Sequence, residues 1–153
     1  MQIRRLFTVV VFLSSPAFAC SIAPSYMPFD QVPEPAPSSV STPPPRISVI
    51  SIRRGHAGDV GMCADIGFLS LTVPADRAGF RFELVEGNLP VRFPQGFIKP
   101  RKPGVLGFIW SDGNTDVQEP IHAIVKVTAV SDAGVVSEPV LLKIDHPGVV
   151  PAH

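Results

Sequence analysis

Apolar and polar residues alternate in short runs from residue 46 to residue 146, and no run keeps a helical period over ten residues. In residues 66–73, Leu69, Leu71 and Val73 point one way and Ser70 and Thr72 the other, the two-residue period of a strand. Residues 79–86 repeat it, with Phe80, Phe82 and Leu84 against Arg81 and Glu83, as a strand with one buried and one wet face does. Further on, Ile121, Ala123, Val125, Val127 and Ala129 oppose His122, Lys126 and Thr128, and Val140, Leu142 and Ile144 oppose Leu141, Lys143 and Asp145. Residues 46–53, 90–97 and 104–111 supply three more strands, the 90–97 run placed at an edge because Pro94 has no N–H to donate. Seven strands separated by Gly, Pro, Asp and Asn clusters predict an all-β chain with an Ig-like antiparallel sandwich over residues 46–146.

Two stretches sharpen this expectation. SLTVPADRAGFRFELVEG resembles the second strand, turn and third strand of a fibronectin type III domain, and VKVTAVSDAGVVSEPVLLKI resembles its last hairpin. Val125, Val127, Ala129, Gly134, Ser137 and Pro139 occupy the hairpin positions of that pattern. The resemblance implies a seven-strand sandwich. It departs from the family where Leu and Thr replace a Trp in the second strand and Ala123 replaces the tyrosine of the corner. Pro139, just before the last strand, fits an edge position.

Upstream, the composition changes. Residues 20–45 hold eight prolines and a Ser-rich stretch, which predicts an extended linker of roughly 80 Å if fully in polyproline II. Before it, Arg4 and Arg5, the apolar run of residues 6–13 and Ala17-Phe18-Ala19 form the three parts of a secretory signal peptide over residues 1–19. The apolar run is too short to span a bilayer. Export, whether to a periplasm, a cell surface or the medium, is the consequence.

An oxidising compartment gives the two cysteines a role. Cys20 and Cys63 are candidates for one disulfide, which chain entropy would make worth about 4 kcal/mol at best. Cys20 is also a lipidation candidate, directly after the cleavage site, though Ala17 and Phe18 fit a lipobox poorly; a free thiol is the remaining alternative. A membrane association follows only if Cys20 is lipidated. Residues 147–153 read as a flexible tail. Without Arg4 and Arg5 the chain carries 11 basic and 13 acidic residues, and this near-neutral balance argues against a nucleic-acid partner.

Candidate chemistry is sparse. Asp112, Asn114 and Asp116 have the alternate-oxygen spacing that opens a calcium loop, but Val117 and Ala123 stand where such a loop needs Gly and a bidentate Glu, so a strand-to-strand turn is expected and no metal. Arg92, Lys99, Arg101 and Lys102 gather positive charge around a proline-rich bend, and Trp110, if exposed, offers a ring for stacking on a sugar. Asp132 sits in the last turn, where related domains display recognition loops. These six residues form the possible ligand surface. His56, His122, His146 and His153 lack metal-site spacing, and no G-x-S-x-G is present. No cofactor and no catalytic residue is assigned.

The expectation is a non-catalytic exported module that binds or scaffolds an envelope or extracellular protein or glycan through strand faces, loops or an open edge. Two alternatives stand beside it. A small secreted hydrolase, or an accessory domain of one, requires Asp or Glu clustered with His122 or His146 in a pocket; a structural envelope spacer or lipoprotein requires no soluble partner.

Overall fold

A computed structural model describes residues 29–36, 38–55, 66–113 and 117–148. The residues so described form eight strands and no helix: β1 (Phe29–Val32), β2 (Ser48–Arg53), β3 (Ile66–Thr72), β4 (Gly79–Gly87), β5 (Phe97–Pro100), β6 (Val105–Ser111), β7 (Ile121–Val130) and β8 (Val140–His146). They pair in two antiparallel sheets, a five-stranded one in the order β1-β5-β4-β7-β8 and a three-stranded one in the order β2-β3-β6. The inward faces share one apolar core. Leu69 and Leu71 of β3 and Leu106 and Phe108 of β6 meet Phe80 and Phe82 of β4 and the inward side of β7. Phe108 stands edge-on to Phe82 at 5.1 Å between centroids, joining the two sheets directly. The arrangement is compatible with a β-sandwich.

Three expectations change. The fourth strand, placed at 90–97, is instead an irregular connection, and the pairing begins at Phe97. Pro90 and Pro94 remove two ladder donors, and Gly96 turns the chain at φ 78°. The alternation there still serves the core, because Leu89 and Val91 are buried and Phe93 stacks on Phe82 at 5.5 Å. The second change is the strand count. Phe29–Val32, from the segment read as a linker, is an additional strand antiparallel to β5. It occupies the window between Pro28 and Pro33, where the donors needed for a ladder remain.

Described residues between 29 and 45 therefore lie on the domain. Register and alternation direct Ile98 into the core opposite Phe80, so Phe97 points to the outer face of the large sheet, as does Val130 opposite Gly79. Both are nonetheless almost fully covered, at 1 % and 3 % exposed. Val32 lies over Gly79, where a Cβ would stand 3.2 Å from Val32 Cγ2. The Arg81 guanidinium sits 4.3 Å above the Phe97 ring and is paired with Glu34. Farther along, Thr42 bridges Ser137 in parallel, its N–H donating to Val136 O (3.2 Å) and its carbonyl accepting from Glu138 N–H (2.8 Å). The segment thus crosses the sheet from the β1 edge to the β8 edge as a strap.

Leu84, expected inside, is 38 % exposed: the β4–β7 register shifts between Leu84 and Glu86, and this end of β4 outruns the core. The signal peptide of residues 1–19, Cys20 with its lipidation, the Cys20–Cys63 disulfide, His56, Asn114, Asp116, and residues 149–153 with His153 lie outside the described residues.

Candidate functional site

Edges are where a β protein meets other chains, because an edge strand leaves a row of N–H and C=O groups unpaired. The large sheet manages both of its edges. At one, β1 is four residues long, carries Asp30 and ends at Pro33; at the other, β8 carries Lys143 and Asp145 and its entry is taken by Thr42. In the small sheet, β2 has a register shift between Val49 and Ser51 and presents Arg53. The remaining edge is β6, Val-Leu-Gly-Phe-Ile-Trp-Ser. Among the described residues it pairs with β3 alone, in unbroken register from Val105 opposite Thr72 to Ser111 opposite Ile66. It contains no charge, no proline and no bulge.

Its two faces differ. Leu106, Phe108 and Trp110 point into the core. The Trp110 ring lies on Gly67 of β3, where a Cβ would stand 2.0 Å from indole Cε2. Trp110 is 7 % exposed, so its ring is not presented for stacking on a sugar. Outward, Gly107 leaves room for the Phe68 ring, whose Cζ would be 2.9 Å from a Cβ there. Ile66, Phe68, Val105 and Ile109, all half-buried, make an apolar stripe beside the open backbone.

The predicted ligand residues do not form one patch. Lys99 and Arg101 lie together across from Asp30, which accepts from Arg101 Nε at 2.9 Å. Lys102 is exposed in the turn before β6, and Arg92 is exposed in the β4–β5 connection. Asp132 is exposed in the β7–β8 turn, closed by Gly134 N–H donating to Ser131 O at 2.9 Å. No family model, curated protein or solved structure matches the chain.

Two other regions carry polar groups. Because β4 meets β5 only at Phe80 opposite Ile98, its edge beyond opens onto a groove of about 480 Å³ lined by Phe82, Leu84, Val91 and Phe93, with Arg81 and Glu34 at the lip. Its polar lining is the Arg81–Glu34 ion pair, Glu83, which pairs with Lys126, and Gln95. The second region is a buried knot. Asp112 accepts from Arg54 Nε at 2.7 Å and from Gly55 N–H at 2.8 Å, and Arg54 Nη1 donates to Glu119 O at 2.8 Å. Burial pushes the Asp112 carboxyl up, but the hydrogen bonds and charge of Arg54 and the Gly55 N–H outweigh it and hold the group below the usual carboxylate value. The Trp110 indole assists from close by, although its Nε1–H makes no hydrogen bond of good geometry. Asp112, first oxygen of the presumed turn, is thus committed to an arginine, and the described residues hold no group of three His, Cys, Asp or Glu suited to a metal.

The histidines separate as well. His122 Nδ1 is 3.0 Å from Asp145, but on the open face of the large sheet, with the His side chain 72 % exposed. His146 accepts from Gly148 N–H at Nδ1 (3.0 Å); burial first, then the Arg54 charge, push its pKa below the usual imidazole value against the opposing charge of Asp112. Neither histidine lines the Phe82–Phe93 groove.

Sequence reasoning did not single out the β6 edge and looked to Pro139 and the basic bend instead. Only part of its signal was present: residues 66–73 and 104–111 are the two predicted strands without a charged residue or a proline, and strand order alone tells that the second stands at an edge.

Proposed function

We propose that the chain is an exported, non-catalytic binding or scaffolding module with a fibronectin type III-like sandwich, which takes up an extended segment of an envelope or extracellular protein as an added strand. The observation that carries this is the open, uncharged β6 edge beside the apolar stripe of Phe68 and Ile109. Main-chain hydrogen bonds to such an edge supply affinity, and side-chain pockets on alternate positions supply selectivity. For the domain class, strand order is the support. Counting from β2, the first, second and fifth strands form one sheet, and the fourth joins the third, sixth and seventh. In a constant-type immunoglobulin sandwich the fourth strand lies with the first, second and fifth, so the fibronectin-like reading is the better supported of the two.

The test is hydrogen exchange with the exported chain and a lysine-flanked peptide of alternating Thr and Val. Alternate β6 amides, those facing out of the edge, slow on adding peptide, and the Ile109→Lys variant abolishes the effect. Unchanged exchange across residues 105–111 at saturating peptide overturns the strand-addition function. Export is tested by the mass of the mature chain, and a retained residue 1 removes it.

A further inference from the structure

We infer that the occupant of the β6 edge is a second copy of the same chain, the two β6 strands pairing antiparallel about a twofold axis at Phe108. This rests on the strand-addition reading and names its partner. A strand that pairs with itself must tolerate meeting its own side chains in reverse order, and like charges directly opposite would oppose it. In β6 that difficulty is absent, since residues 105–111 carry no charge. With Phe108 on the axis, the outer face sets Gly107 opposite Ile109 of the second copy and Val105 opposite its Ser111, a small residue against a larger one each time.

The Gly107–Ile109 pairing has a further consequence. Phe68 already lies over Gly107 because no Cβ is there. Its ring is thus positioned to cover Ile109 of the second copy where that side chain crosses the junction, and the twofold makes the same contact again. Two three-stranded sheets become one of six strands, and two half-exposed stripes of Ile66, Phe68 and Ile109 become one continuous stripe. Such an isologous pairing closes on itself and uses up the edge, so it gives a dimer and no filament. A charged partner strand would instead bring its charge against Phe68 and Ile109, where β6 offers no counter-charge.

Sedimentation velocity of the exported chain at micromolar to hundred-micromolar concentrations reads the outcome. The expected result is a monomer–dimer equilibrium, with alternate β6 amides protected in the dimer. Ile109→Lys and, separately, Ser111→Lys weaken it at least tenfold while leaving the urea midpoint near that of the parent, as followed by Trp110 fluorescence. A chain that stays monomeric throughout, or a dimer unaffected by both substitutions, overturns the inference. A lysine-flanked Val-Leu-Gly-Phe-Ile-Trp-Ser peptide separates the two claims. If it protects β6 in a monomeric chain, strand addition stands and self-pairing falls; if it protects nothing in a monomeric chain, both fall.

Discussion

Replacing Asp112 by alanine removes the acceptor on which two donors converge, Arg54 Nε at 2.7 Å and Gly55 N–H at 2.8 Å. Both side chains of the ion pair are well covered, 9 % exposed for Arg54 and 4 % for Asp112, so water cannot replace the lost carboxylate without reopening the site. The guanidinium keeps only Glu119 O among its described partners, and a buried charge left in this way costs about 3–5 kcal/mol. That is a large share of the roughly 5–15 kcal/mol that holds a domain folded. The assay is urea unfolding read by fluorescence of Trp110, the single tryptophan, buried two residues from the substitution. The pH dependence carries a sign. Since the folded Asp112 pKa lies below the ordinary aspartate value of 3.8, its contribution is complete above 3.8 and is lost as pH falls through the lower folded value. The gap between parent and variant is therefore full at pH 7 and narrows only below pH 3.8. The paired Arg54→Met, Asp112→Leu variant recovers most of the loss, because a packed apolar pair needs no counter-charge. A loss under about 1 kcal/mol at pH 7, or a gap that shrinks already between pH 7 and 5, refutes the reasoning.

Three further outcomes follow from the same contacts. Gly67→Ala drives a Cβ to within 2.0 Å of the Trp110 indole and destabilises the domain by about 1–3 kcal/mol or more, with a red-shifted Trp110 emission; an unshifted spectrum contradicts the packing. Phe29→Ala lowers stability by about 3 kcal/mol, since the ring packs against Phe108 at 6.0 Å, whereas an unattached linker would leave the urea midpoint unchanged. For His146, the folded pKa is below the ordinary histidine value of 6.5, so the unfolded chain binds the proton first and stability declines as pH drops from 6.5 to the folded pKa. His146→Gln removes that part of the decline, and equal slopes for parent and variant between pH 7 and 5 would contradict it.

Much of the fold was legible because burial imposes a two-residue period on any strand with one wet face. Residues 66–73, 79–86 and the two runs of the last hairpin announced themselves in this way and are β3, β4, β7 and β8 within a residue or two. The 90–97 run misled for the same reason. Leu89, Val91 and Phe93 alternate because they plug the core, but alternation reports burial and not hydrogen bonding, and two prolines there prevent a ladder. The strap was illegible from the other side: a proline-rich composition suggests a spacer, and nothing in Phe29-Asp30-Gln31-Val32 tells which sheet edge it will meet.

By itself, then, the chain's order of residues determined that it is all-β, where most strands lie and which of their faces turn inward, since these depend on local alternation and on where donors are missing. Only the tertiary structure decided that Asp112 pairs with Arg54, that Trp110 packs on Gly67, and that β6 stands at an edge among the described strands. Each depends on which distant segments become neighbours, and strand order is settled by the packing of both sheets around one core.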